Sequence, residues 1–401
     1  MYEAELNEHR KSHLDWPLLI ATVGLLVIGT AFVFSATNVH ESEWNAAWYQ
    51  QSWLRQIFWC IVGITAAGLI CLVDYIVLAR WSMVLYWLII LLLAIVFLFP
   101  PVNGARRWMN LAGFTLQPSE FAKIAVILVQ ANYLSRPMEE LRMGEVFWKS
   151  VGMSALPFIM ILGEPDLGSS LVLIPVTLGM MFVAGVPRRF LGKVFGGLGL
   201  IAVLCVAAIF FAPHSIKTKI AKSYQGQRLL TYFGRDFAPR NATPDERKQW
   251  KKLQDEKAYN VEQSLISVGS GGLWGKGWRQ GTQYALGFLP RLGAHNDFIF
   301  SVIGEEEGFV GSLMVLGLYT VLLFSGIKTA SQARDRLGKL MAIGVVMLFF
   351  THVFINIGMN IRLMPVTGIP LPLLSYGGSS VVCSLIAIGI LLNIHIHRRS
   401  Y

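Results

Sequence analysis

Ten runs of this sequence stay apolar for long enough to cross the roughly 30 Å hydrocarbon core of a bilayer. They lie near residues 17–37, 55–73, 81–99, 117–134, 146–163, 167–186, 190–212, 298–326, 338–361 and 374–396. The expected fold class is therefore all-α, a polytopic membrane protein with about ten transmembrane helices. Composition agrees, because 54% of the residues are hydrophobic and only 14% are charged, against about 25% charged in soluble domains. A soluble enzyme, a disordered chain and a secreted disulfide scaffold are excluded. The four cysteines, Cys60, Cys71, Cys205 and Cys383, sit inside apolar runs. They read as packing residues of the helices, with no disulfide or metal role.

The runs divide the chain into helices 1–7 over residues 1–212, a large external loop over 213–297, and helices 8–10 over 298–401. The first run is too long for a signal-peptide core and reads as an uncleaved first span. The two tails and the alternate short loops on their side hold 15 Lys and Arg, whereas the opposite short loops hold four, Arg55, Arg106, Arg107 and Arg362. The positive-inside rule then places both termini in the cytoplasm. Residues 213–296 carry 14 Lys and Arg against six Asp and Glu, but a loop this long escapes the short-loop rule and can be basic outside. The formal charge of +10 is largely this loop. Its expected neighbours are lipid headgroups and anionic ligands, with no nucleic acid. Residues 224–233 mix aromatics with Arg228 and suit an interfacial helix, while 238–258 are charged and read as mobile.

Charge inside a span costs several kcal/mol unless it is paired or faces a wet cavity, so each such residue is a candidate site. In 104–123, GARRWMNLAGFTLQPSEFAK, Pro118 suits the first turn of a helix, which puts Glu120 and Lys123 on one face. They are either a self-neutralising pair or a patch facing a cavity at the outer leaflet. Arg106, Arg107 and Trp108 suit the headgroup zone, as phosphate-binding forks or as interface anchors. Glu164 and Asp166, between two short spans, form a capped structural turn or a ligand site. The stretch 268–278, VGSGGLWGKGW, ends like a nucleotide P-loop, but Gly277 stands where Ser or Thr should follow Lys276, and Ser270 where the first Gly should stand. It reads as plain turn chemistry or as backbone N–H groups offered to a diphosphate or sugar.

His295, Asn296 and Asp297 fall where the external loop meets the eighth span. Asp297 is either the cap of that helix or a half-desolvated general base. Glu305, Glu306 and Glu307 follow within one helical turn, and some must pair. Finally, 362–380, RLMPVTGIPLPLLSYGGSS, is too rich in Pro and Gly for a helix. It reads as a re-entrant loop lining a cavity, with a simple extended loop as the alternative.

Taken in order, the RRW–QPSE–AK stretch, the EPDLG turn, GSGGLWGKGW–GTQ, HNDFIF with GEE–G–VG, and LPLLSYGGSS resemble the SEDS family (shape, elongation, division and sporulation) of peptidoglycan polymerases. The wording of GLWGKGW and YQGQR–LTYF is more similar to its elongation branch than to its division branch. The chain departs from the family where Leu289-Pro290 is followed by Arg291 rather than Glu, where extra residues precede His295, and where Asn296 replaces Thr. The resemblance implies a glycosyltransferase that polymerises lipid II by an inverting transfer at the periplasmic face of the bacterial cytoplasmic (inner) membrane. The rival role is a lipid II flippase. Asp297 is the implied general base, and candidate substrate contacts are Glu120, Lys123, Arg106, Arg107, Trp108, Lys276, His295, Ser375 and Tyr376. A divalent cation, Mg or Mn, suits a diphosphate substrate, although no ligand cluster marks one. Implied partners are a class B penicillin-binding protein transpeptidase, other elongation-complex proteins and membrane lipids.

Overall fold

The computed structural model describes residues 14–37, 51–101, 105–111, 114–211, 219–221, 223–237, 243–288 and 294–399. Its helices are α1 (Trp16–Thr37), α2 (Ser52–Cys71), α3 (Tyr75–Arg80), α4 (Ser82–Val96), α5 (Pro118–Leu134), α6 (Met138–Leu141), α7 (Gly144–Gly163) and α8 (Leu167–Ala184). They continue as α9 (Arg188–Phe211), α10 (Tyr224–Tyr232), α11 (Pro244–Ser270), α12 (Thr282–Ala285), α13 (Ile299–Gln332), α14 (Arg336–Asn360) and α15 (Gly378–Ile396). A short antiparallel hairpin, β1 (Met109–Leu111) with β2 (Phe114–Leu116), precedes α5.

Among the described residues, eight helices (α1, α2, α7, α8, α9, α13, α14 and α15) are long and apolar enough to cross a membrane. The two other expected crossings coincide with α4, of 15 residues, and α5, of 17. The protein is a multi-pass helical bundle. Its centre is α14 and α15, which are buried along most of their length. α15 packs mainly on α2, and α14 on α13, α8 and α5. α9 is the opposite case, with only Phe190, Leu191 and Ile209 buried among 24 residues. A helix apolar all round with so little protein against it has lipid for a neighbour.

Of residues 238–258, read from their charge as mobile, 238–242 lie outside the described residues and 244–258 form the first half of α11. Pro244 opens that helix, where a missing N–H costs nothing, and neither Gly nor Pro follows until Gly269. A run of Glu, Arg, Lys, Gln and Leu is then helical by intrinsic preference, and α11 is held by packing against α13. The four cysteines are free thiols, two buried, one half-buried and one exposed.

Two irregular segments shape the end of the bundle where α13 begins and α14 ends. In α13 the backbone leaves helical geometry at Gly308, with φ of 67°. The break frees backbone groups on both sides, and the Gly-rich turn at 271–277 takes them up. Phe309 N donates to Gly272 O at 2.9 Å and Val310 N to Leu273 O at 3.1 Å, while Lys276 N and Gly277 N donate to the carbonyls of Glu305 and Glu306. A Cβ at Gly275 would collide with the Glu306 carbonyl, so only glycine permits this approach. The Pro-rich segment 361–377 has no helix, yet Thr367, Ile369, Leu371, Leu374 and Ser375 are buried. Its carbonyls take donors from surrounding helices: Tyr319 Oη to Pro372, Gln56 Nε2 to Ser375 at 3.2 Å, and Asn356 Nδ2 to Ile369 at 2.7 Å. Irregular backbone at this depth is tolerated because protein satisfies it.

Candidate active site

Asp297 lies in the turn before α13, one residue ahead of the helix cap at Phe298. The capping role expected as an alternative is absent, since no side chain caps that helix. The main chain around Asp297 is fixed from two directions. From α14, Asn356 Nδ2 and Asn360 Nδ2 each donate to the Asp297 carbonyl at 3.1 Å. From the Pro-rich segment, Ser375 Oγ donates to Asn296 O at 2.6 Å and Tyr376 N to His295 O at 2.9 Å. The His295 and Tyr376 rings meet edge to face at 5.4 Å. Each bond joins parts of the chain at least 59 residues apart, so the turn is held by the assembled bundle.

The side chain is therefore left to face outward from this clamp. Asp297 Oδ2 and the Arg228 guanidinium both stand against Gly368, at 3.3 and 3.2 Å from where a Cβ would be. Gly368 has φ of +71°, a left-handed conformation that favours glycine, and a Cβ there would crowd both groups. Arg228 Nη1 also donates to Thr367 O at 2.6 Å. The residue is half-buried, with the Arg228 guanidinium and Gly368 against its carboxyl. Burial lifts the carboxyl above the ordinary carboxylate range and Asp166 adds to the lift, whereas Arg228 and Arg107 pull it down. A carboxylate moved up in this way is better matched to taking a proton near neutral pH.

Arg107 and Asp166 form the other wall. Asp166 caps α8 by accepting from Ser169 N at 3.2 Å. It also accepts from Gln117 Nε2 at 2.9 Å and Ser119 Oγ at 3.3 Å, and lies 3.8 Å from Arg107 Nη1. Gly168, in the first turn of α8, sits so close to Thr367 O that a Cβ would be 2.9 Å from it. The EPDLG turn, the RRW segment and the Pro-rich loop thus converge on Asp297. Glu164 is fully buried beside them, and burial with the Asp166 charge raises it from 4.5 to about 9 despite Arg107.

A family described as "Cell cycle protein", the FtsW, RodA and SpoVE group, matches residues 16–400. The chain belongs to this family. It is 34% identical over 399 residues to the peptidoglycan glycosyltransferase MrdB of Escherichia coli (strain K12), covering 97% of this chain and 95% of that one. Stage V sporulation protein E of Bacillus subtilis is 35% identical, with 97% and 99% covered. Among solved structures, the fold matches a chain from a study titled as the structural coordination of polymerization and crosslinking by a peptidoglycan synthase complex. That match has a TM-score of 0.74 and 26% identity over 97% of this chain and 99% of that one. The rod shape determining protein RodA of Thermus thermophilus matches with a TM-score of 0.65 and 26% identity, covering 97% and 98%.

In this family member the remaining candidates are placed elsewhere. Glu120 and Lys123 form a buried ion pair of 2.7 Å, and Lys123 Nζ also lies 3.0 Å from His352 Nε2. An ammonium only donates, so Nε2 accepts and Nδ1 carries the proton toward Pro370 O at 3.4 Å. This triad, below the Pro-rich loop, lines a cavity of only about 10 Å³. Lys276 is engaged inside the protein, its Nζ at 2.6 Å from Glu305 Oε1 and 2.7 Å from Thr282 Oγ1. Glu306 accepts from Ser35 Oγ at 2.6 Å and from Arg279 N at 3.0 Å. Two of the three crowded glutamates, Glu305 and Glu306, are thus paired, in keeping with the expectation that some must be. Arg106 donates to Phe97 O at 3.0 Å on the surface, and Trp108 is half-buried beside it. The Leu289-Pro290-Arg291 departure lies outside the described residues. Arg228, Asn356, Asn360 and Gly368 were not singled out as site residues by the sequence. The two asparagines carried a signal, being polar groups four apart within an apolar span.

Proposed function

We propose that this chain, a peptidoglycan glycosyltransferase of the RodA type, polymerises lipid II with Asp297 as its general base. The supporting observation is that Asp297 caps nothing, yet its backbone is clamped and its carboxyl is raised by burial. In the reaction, the 4-hydroxyl oxygen of the acceptor sugar attacks the anomeric carbon of the donor and gives its proton to the Asp297 carboxylate. The new C–O bond forms as the anomeric bond to diphosphate breaks, and the lipid diphosphate leaves with the electron pair. A single base with in-line attack inverts the anomeric centre; the two-carboxylate logic of glycosidases does not apply. The excess of Lys and Arg in the tails and their short loops supports a cytoplasmic-membrane location with the Asp297 end periplasmic.

The flippase reading needs a polar passage the size of a headgroup. The mid-depth candidate His352 is instead sealed against Lys123 beside a cavity of about 10 Å³. Among the described residues no group of three or more His, Cys, Asp or Glu could hold a metal. A divalent cation would suit the substrate's diphosphate, and no step here depends on one. The solved relative from a synthase complex that couples polymerization to crosslinking supports a transpeptidase partner for this chain as well.

The test is Asp297→Asn with purified protein and lipid II, read as glycan polymer on a gel. Loss of a general base costs about 10²–10⁴-fold, with the protein still folded and in the membrane. Near-normal polymer from the variant would remove Asp297 as the base.

A further inference from the structure

A cavity of about 230 Å³ opens against Phe298, the residue after Asp297, between α10, α11 and the segment that follows α14. Arg228, Tyr232, Asn260, Glu262, Phe298 and Arg362 line it. We propose that this pocket seats the diphosphate of the donor lipid, with Arg362 and Arg228 as its two cations. The proposal rests on the glycosyltransferase reading and assigns the donor to this side of Asp297.

Three observations support it. First, the depth is right. Arg362 stands two residues beyond the last residue of α14, a span that ends at the outer surface, which is the level of lipid phosphates. Second, the geometry of displacement fits. The leaving oxygen lies across the anomeric carbon from the attacking hydroxyl, roughly 5 Å from it when the reacting atoms are about 3–3.5 Å apart. Arg228 borders both Gly368, where Asp297 Oδ2 stands, and the pocket, so it spans that interval. The opposite wall has Asp166 beside Arg107 and suits a neutral acceptor sugar better than an anion.

Third, Arg362 occupies a costly position. Leu363 N and Met364 N both donate back to Gly358 O, at 2.7 and 3.1 Å, and Arg362 has φ of +61°. This is the left-handed residue just past a helix end, where glycine is the usual choice. Among the described residues no carboxylate lies within ion-pair distance of Arg362 to account for the guanidinium. Strain of this kind persists where function requires it. Tyr232 Oη donates to Leu363 O at 3.0 Å and fixes the wall between α10 and this segment.

The test uses the full-length protein in nanodiscs and measures inorganic pyrophosphate binding by calorimetry, with orthophosphate as the comparison. Wild type should prefer pyrophosphate. Arg362→Gly relieves the backbone strain, so it should fold at least as well and yet bind pyrophosphate about 10–100-fold more weakly, the loss of charge-assisted bonds. Glu262→Gln removes a negative charge from the lining and should tighten pyrophosphate. Asp297→Asn should bind it at least as tightly as wild type. Unchanged affinity in Arg362→Gly, weaker binding in Glu262→Gln, or equal affinity for orthophosphate would each overturn the proposal. If Asp297→Asn instead makes polymer normally, the base assignment fails while the pyrophosphate data still judge the pocket.

Discussion

Replacing Glu164 by Gln should stabilise the protein, by an amount that depends on pH. The side chain is wholly enclosed, and neither carboxyl oxygen has a hydrogen-bond partner. Burial, assisted by the Asp166 charge, moves its pKa from 4.5 to about 9. The native state therefore keeps a proton that the unfolded chain has released. Where the folded state binds the extra proton, stability falls as pH rises. The loss begins near pH 4.5, grows through the physiological range and is complete above about pH 9. At pH 7 the interval is roughly 2.5 pH units, which corresponds to about 3 kcal/mol.

Glu164→Gln keeps the shape and the neutral polar character of the protonated acid, and it cannot ionise in the unfolded chain. The variant should match wild type below about pH 4.5 and exceed it by about 3 kcal/mol at pH 7. Reversible unfolding in detergent micelles, at about pH 5, 7 and 8.5, would measure the difference. Polymerisation at pH 7 should persist, because a neutral amide replaces a neutral acid. A stability difference that does not grow with pH, or a variant weaker than wild type at pH 7, would refute the reasoning.

Lys123→Met alone should cost about 3–5 kcal/mol, since it strands a buried Glu120 charge. The double change with Glu120→Gln should recover most of that in the same unfolding assay, and equal costs for the two would deny that the pair is coupled. Asn356→Ala withdraws donors from the Asp297 and Ile369 carbonyls and should loosen the clamp on the base. We expect kcat for lipid II polymerisation to fall up to about 10²-fold with little change in KM, and an unchanged kcat would show that the clamp does not position Asp297.

The transmembrane architecture was legible because a bilayer imposes a length and a polarity on every crossing, and both are local properties of sequence. Helix-breaking within 362–380 was legible for the same reason, from Pro365, Pro370 and Pro372, although α15 already begins at Gly378. The outer helix α11 was misread. Its charges signalled solvent exposure correctly, but exposure does not imply disorder when helix-forming residues run unbroken from Asp245 to Val268.

The site was legible as a set of polar residues and illegible as a partition among them. Spacing could place Glu120 beside Lys123, but it could not show that His352, 229 residues away, completes and closes that group. Nor could it show that Ser35, 271 residues from Glu306, takes up one of three crowded glutamates. In the sequence Lys276 fell in a Gly-rich turn of the external loop and Asp297 where that loop meets the eighth span. Lys276 meets Glu305 across 29 residues because the broken helix at Gly308 needs the Gly-rich turn against it. Asp297 is anchored instead through its backbone carbonyl, by the asparagines of α14. Lys123 and Lys276 are held through their side chains and Asp297 through its backbone, and only the folded arrangement separates the two cases.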